Sequence, residues 1–441
     1  MSERTSFRLL PEWLALGGRE SLRADIPAGL TSGAVIIPKA MAFAMIAGLP
    51  LQTGLYTALV PMLIYAVLGT SRVLSVSTTT TLAILTAAQL GQVVPNGDPG
   101  ALVRASSTLA LLVGVALVLG CILRLGFVAN FISEPVLVGF KAGIGLVIVV
   151  DQIPKILGIH FPRGPFVHNV VATAHDIRST SMATLAVGLA TIIFLLSMER
   201  FLPKTPAPLF AAAIAIAGAH FFHLQHHGVE LVGRISHGLP SLVRPDLSLA
   251  TVLWPGALGI ALMSFTETLA SGRAFARNDE PAPQADRELL ATGLANVAGA
   301  FVGAMPGGGG TTQTAVNVHA GARTQFAEVV TAAMALGTAL FLAPLVAMMP
   351  QAVMAAMVIV YSFRLIKPKE FLNILKIRGT EFSWAIVAFA GVIFVLEGDR
   401  CRNHCFPGHI GAPCSRSPGL RVEAQARNQC IPATIAGTSG R

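Results

Sequence analysis

Apolar residues in this chain come in blocks rather than stripes. Stretch after stretch runs through Ala, Val, Leu, Ile and Gly with hardly a charge. One apolar face at a period of 3.6 would mark helices in water, and strict alternation would mark strands. Neither pattern dominates here. A helix needs about 20 mostly apolar residues to cross the hydrocarbon core of a bilayer. The spans predicted on that basis are 24–48, 53–69, 76–92, 107–126, 135–158, 183–199, 206–224, 254–273, 288–305, 310–319, 327–349, 351–366 and 382–397. The ten-residue alternating strands of a membrane barrel are missing. The predicted fold class is therefore all-α, a polytopic membrane protein rich in the small residues that let helices approach closely in lipid.

Two of these segments are interrupted. Ser75-Val76-Ser77-Thr78-Thr79-Thr80-Thr81 opens the third span, and Gly307-Gly308-Gly309-Gly310-Thr311-Thr312-Gln313-Thr314 opens the tenth. Backbone that breaks at membrane depth has to be buried in protein or line a cavity. A shift of about 234 residues lays the first span on the eighth and Ser77 on Thr311, as expected of a transporter built from two repeats with its binding site at the matching breaks. The first repeat, 24–230, has seven spans. The second, 254–398, shows six, so its last span is missing. The predicted remainder is a cytoplasmic N-terminal segment (1–23), an extracytoplasmic linker (231–253) and an atypical tail (399–441).

Composition sharpens this. Only 12% of the residues are charged against 53% hydrophobic, about half the charge of a soluble domain. The net charge of +9 is inflated by the tail, whose six arginines face only Asp399 and Glu423 and which holds four of the 5 cysteines. Elsewhere, only Arg104, Lys155, Arg163, Arg178, Arg234 and Arg244 fall in loops opposite the N-terminus. Most other Lys and Arg lie on the N-terminal side, which predicts a cytoplasmic N-terminus and a multi-pass protein of the cell (inner) membrane. No cleaved signal is expected, because the first apolar run is long and contains Pro38. Gly307–Gly310 lacks the lysine of a phosphate loop. Cys401, His404, Cys405, His409 and Cys414 fit no standard zinc spacing. No cofactor, metal or enzymatic cluster is predicted, and nucleic acid is not an expected partner.

Several separated motifs in order resemble the sulfate permease (SulP-type) family of anion transporters. They are Ile37-Pro38-Lys39-Ala40-Met41-Ala42-Phe43-Ala44, Ala47-Gly48-Leu49-Pro50, Gly54-Leu55-Tyr56, Leu68-Gly69-Thr70-Ser71-Arg72, Glu288 to Asn296, Gln313-Thr314-Ala315-Val316-Asn317 and Ala320-Gly321-Ala322-Arg323-Thr324. The resemblance implies a seven-plus-seven inverted repeat, a core and a gate domain, and an anion held between two half-helix N-termini. It also implies a cation-coupling acid at Glu267, and members are often homodimers. Members usually end with a fourteenth span and a cytoplasmic STAS domain. The tail here matches neither, so a frame shift is the expected origin of 399–441, and this form is expected to be weakly stable and to transport little.

Two departures bear on chemistry. Gln313 stands where many members carry Arg, and Lys39 where many carry Gln. The positive charge is thus expected to have changed sides of the pocket, and an ammonium is a compact point charge where guanidinium is a planar fork. The expected substrate-binding residues are Lys39, Phe43, Ser77, Thr78, Thr79, Gly310, Thr311, Thr312 and Gln313. Lys39 and Phe43 share a helical face. The bland alternative for the threonines is back-bonding to helix carbonyls. Glu267 and Ser271 are the expected ion-coupling residues, the alternative for Glu267 being a structural pair with Lys141. The expected function is secondary transport of a small anion (sulfate, bicarbonate or a dicarboxylate), coupled to H+ or Na+ or by exchange. A nucleobase permease of related fold and an uncoupled anion channel are the alternatives.

Overall fold

A computed structural model of the chain describes residues 19–94, 97–131, 134–159, 166–202, 205, 207–233, 238–276, 283–363, 366, 368–377 and 379–403. The chain divides into two units, 1–400 and 401–441. All but the first three residues of the second lie outside the described residues, including most of the cysteine and histidine set of the tail.

The first repeat consists of α1 (Arg19–Ile46), the broken pair α2 (Leu51–Thr57) and α3 (Val60–Leu68), strand β1 (Val76–Ser77) leading into α4 (Thr80–Val93), α5 (Pro99–Ile122), α6 (Glu134–Leu157), α7 (Phe166–His175), α8 (Met182–Phe201) and α9 (Ala207–Phe221). The second runs α10 (Ala250–Ala274), α11 (Ala285–Ala300), β2 (Gly308–Gly309) leading into α12 (Thr311–His319), α13 (Phe326–Gly337), α14 (Ala343–Ala347), α15 (Gln351–Phe363), α16 (Pro368–Ile377) and α17 (Gly379–Asn403). A π-helical turn, Thr338–Leu342, joins α13 to α14. The elements follow in the same order in both, except that the pair α2–α3 stands against the single α11, and α13 with α14 against the single α5. No counterpart of α9 is found among the described residues.

Six helices are long and apolar enough to cross a membrane: Glu20–Ile46, Leu51–Leu68, Pro99–Ile122, Met182–Phe201, Leu247–Ala274 and Phe326–Ala347. Shorter apolar helices cover 207–221, 351–363 and 379–392. Their outer faces carry exposed Leu119, Ile193, Leu262 and Phe341. Such a surface is a liability in water and ordinary in lipid. Nine of the thirteen expected spans coincide with these apolar helices, with longer starts at α1, α5 and α10; the expected spans 76–92, 135–158, 288–305 and 310–319 are helical as α4, α6, α11 and α12 but are not among them. The short helices α7 and α16 were not anticipated, because each is too short and too polar to register as a span. They follow α6 and α15 respectively, one in each repeat.

Close packing is set by small residues. On α5 and α11, a Cβ at Gly114 would lie 2.7 Å from the Gly293 carbonyl, so the two backbones touch. Gly309 in β2 is equally confined, a Cβ there lying 2.7 Å from Thr268 Cα on α10. The linker is partly pinned. Gln351 N–H donates to Glu230 O at 2.9 Å and Val232 N–H to Met349 O at 2.9 Å, tying it to the start of α15. Forcing a side chain into such a contact costs about 1–3 kcal/mol. Gly309→Val should therefore lower the melting temperature of the purified protein clearly. Gly259→Ala, at a site with open space around it, should leave it unchanged.

Candidate functional site at the crossing of two broken helices

β1 and β2 pair antiparallel, Val76 with Gly309 and Ser77 with Gly308. This brings the N-termini of α4 and α12 together within the packed helices. Extended backbone here has no intrahelical partners, so each polar group needs another. The neighbouring helices supply them. Asn296 on α11 embraces Gly307, accepting its N–H at 2.8 Å and donating to its carbonyl at 3.0 Å. Ser264 on α10 donates to Gly307 O at 2.7 Å, and Thr268 accepts the Gly309 N–H at 2.8 Å. Gly310 N–H donates to Ser75 O at 3.0 Å.

The two helix starts differ in charge. At α4, Thr79 is the cap; its hydroxyl accepts the Leu82 N–H at 3.3 Å and donates to Glu267 Oε2 at 2.7 Å. Thr81 donates to Glu267 Oε1 at 2.9 Å, and Lys141 Nζ lies 4.0 Å from that same oxygen. A buried carboxylate thus faces the positive end of α4. At α12 the cap is Gly310, which has no side chain to bond the first-turn N–H groups. Lys39, 4% exposed, donates to Thr312 Oγ1 at 3.1 Å, and its Nζ stands 4.5 Å over the Tyr361 ring of α15. The positive end of α12 and an ammonium therefore share one locality, which suits an anion.

The expected residues group as follows. Lys39 meets Thr312, Thr79 meets Glu267, and Ser271 meets Thr311, their hydroxyls 2.8 Å apart. Thr311 and Thr312 are exposed, whereas Phe43 is buried in the main apolar core. Gln313 is 1% exposed and turned inward; it accepts from Ser77 Oγ at 2.9 Å and donates to Thr78 O at 3.0 Å, tying the half-helix starts together. Thr78 donates to Pro306 O at 3.2 Å. Lys141 and two hydroxyls reach Glu267 together. Back-bonding is realised at Thr314, which donates to Gly310 O at 2.8 Å. Sequence reasoning missed Ser264, Thr268 and Tyr361. The first two were legible as polar positions one turn apart on an apolar helix; nothing in the sequence marks Tyr361. Two cavities of about 230 and 270 Å³ lie elsewhere, one lined by Asp151, Asn169 and Gln351, the other by Asp98, Arg104 and Asp246.

The sequence pattern of the sulfate permease family matches residues 22–388. The chain belongs to the sulfate permease family. A probable sulfate transporter of Mycobacterium tuberculosis is 34% identical over 378 residues, covering 85% of this chain and 67% of its own length. Sulfate transporter 3.1 of Arabidopsis thaliana is 31% identical, covering 87% of this chain and 60% of its own. Among solved structures, the murine Solute Carrier 26 family member A9 anion transporter in the inward-facing state superposes with a TM-score of 0.82 at 23% identity, covering 91% of this chain and 72% of that one. The transmembrane domain of the cyanobacterial bicarbonate transporter BicA gives 0.75 at 21% identity, covering 86% and 97%. These two likenesses speak for the fold. The sulfate permease family is one of membrane transporters of anions and not of enzymes.

The inward bonds of Gln313 make a testable point. Gln313→Leu removes the acceptor of Ser77 and the donor to Thr78 O inside a closed structure. Each stranded polar group costs about 1–3 kcal/mol. The variant should lose thermal stability by that order in a melting experiment.

Proposed function

We propose that this sulfate permease family member carries a small oxyanion bound between the start of α12 and Lys39, with Glu267 as the coupling acid. One observation carries the reading: of the two helix starts that meet, one is faced by a carboxylate and the other by an ammonium. The α12 end offers uncapped N–H groups, the Thr311 and Thr312 hydroxyls and the Lys39 charge. The α4 end offers Thr79, Thr81 and Glu267, a set that accepts H+ or Na+. Anion and cation are then held a short way apart, so that binding one favours the other. The nucleobase reading is disfavoured, since a lysine at the helix start suits negative charge. Sulfate is the first substrate to test, given the names of the relatives, with bicarbonate and dicarboxylates next.

The proposed division of labour follows the packing. α1–α5 and α10–α14 surround the crossing as a core. α15 packs against α6 and α8, and these with α9 and α17 form the moving gate. In this arrangement the cytoplasm is on the side of the N-terminus. Lys39 lies on the core and Tyr361 on the gate, so their contact changes as the gate moves.

Binding tests this without requiring turnover. In purified full chain, sulfate should protect against thermal unfolding, and Lys39→Gln should weaken that protection roughly tenfold in concentration, as expected when about 1.4 kcal/mol of interaction is lost. Unchanged affinity in Lys39→Gln would remove the lysine from the site. In proteoliposomes, Glu267→Gln should abolish the response of uptake to an imposed H+ or Na+ gradient; an intact response would take coupling away from Glu267.

A further inference from the structure

A second carboxyl near the crossing has no place in the proposal above. Glu328, in the first turn of α13, has none of its surface exposed. Ser75 donates to its Oε2 at 3.0 Å, and its Oε1 has no hydrogen-bond partner. Among the described residues, no lysine, arginine or histidine pairs with it. The contrast with Glu288 is instructive. Glu288 is equally buried but accepts from Tyr65 Oη at 2.7 Å and from both the N–H and the hydroxyl of Thr70. Asp25, also buried, accepts from the N–H groups of Arg323 and Thr324. An ionised carboxylate out of water needs such donors or a cation. Glu328 has a single neutral hydroxyl.

Gln325 lies one turn earlier on the same face of the chain. Its Nε2 donates to Ser71 O at 2.8 Å and Leu74 O at 2.9 Å, which fixes the amide's orientation. Its Oε1 is buried and without a donor. Neither buried oxygen has a donor. One hydrogen on Glu328 removes its charge.

We infer that Glu328 is a proton-binding site, neutral in this conformation and joined through Ser75 to the crossing of the two broken helices. Ser75 takes the Gly310 N–H on its carbonyl at 3.0 Å and gives its own N–H to Thr314 Oγ1 at 3.2 Å. Gain or loss of the proton therefore bears on the segment that sets the start of α12. The neighbouring titratable groups have partners of their own. On α1, Asp25 holds Arg323 and Thr324 while Lys39 holds Thr312; on α3, Tyr65 holds Glu288. Arg72 also has partners. Glu267, with two hydroxyls and Lys141, is a separate acid.

Infrared difference spectra of the purified full chain, taken between neutral and alkaline pH, read the proton directly. A protonated-carboxyl band present at neutral pH should persist in Glu267→Gln and disappear in Glu328→Gln. Glutamine keeps the shape and a donor, so Glu328→Gln should fold, and its melting temperature should fall less than the wild type's as pH rises from mildly acid to mildly alkaline. Should that variant fail to fold, Ser75→Ala supplies the reading: loss of the hydroxyl that donates to Glu328 should shift the band. A band unaltered by both substitutions overturns the inference. Wild-type stability that depends on sodium or potassium at fixed pH, and is lost in Glu328→Gln, also overturns it and assigns the oxygens to a metal cation. The link through Ser75 rests on the anion site proposed above. It is read by sulfate affinity against pH, which should flatten in Glu328→Gln; an unchanged profile overturns the link while the infrared band still judges the proton.

Discussion

Everything near the centre of this protein depends on satisfying a few backbone groups where no water reaches. Two chain segments, at 75–79 and 306–310, are extended inside a bundle of helices. Their N–H and C=O groups are buried among packed helices, and an unpaired one there costs several kcal/mol. Pairing them with each other meets part of the need, through the short ladder of Val76–Ser77 with Gly308–Gly309. The remainder falls to side chains brought from elsewhere: Asn296, Ser264, Thr268 and Gln313. Such a set has little freedom. If α10 moved away from β2, Gly309 would lose the Thr268 hydroxyl, and if α10 moved closer it would meet the backbone.

This constraint explains why the glycines lie where they do. β2 runs so near α10 that a side chain on Gly308 would meet Ser264 and one on Gly309 would meet Thr268. The close approach lets short hydroxyl side chains reach the strand's backbone. The pairing also forces the two half-helices to point their N-termini toward one another, so that two partial positive charges converge. The protein answers one of them with its own carboxylate, Glu267. At the other it adds a lysine rather than an acid. In the proposed mechanism that imbalance is what an arriving anion relieves.

Buried charge elsewhere follows the same logic. Asp25 and Glu288 are both fully buried, and each is met by donors from a segment far away in sequence. Each therefore acts as a tether as well as a charge, holding the start of α13 against α1 and the end of α3 against α11. Glu328 stands outside this scheme, having a single donor. A neutral acid is the state that fits such surroundings.

Much of this was legible from the sequence. Blocks of apolar residues without charge determine a bundle of membrane helices, because nothing else satisfies the backbone in lipid. The two polar interruptions, matched across the repeats, mark the centre for the same reason, and the separated motifs point to the family. Glu267 stood out as a carboxylate in an apolar helix. The tertiary structure alone decided which partner each polar residue met. Gln313 looks from sequence like a residue facing the ligand, yet its amide is spent joining Ser77 to Thr78. Tyr361 is one aromatic among apolar neighbours until α15 lays it under Lys39. Glu328 reads as an ordinary first-turn acid, favourable at a helix start, until packing buries it. Spacing along a chain fixes which residues share a face. Which faces meet, and whether a polar group finds a donor there, depends on helices far apart in sequence, and only the folded arrangement settles it.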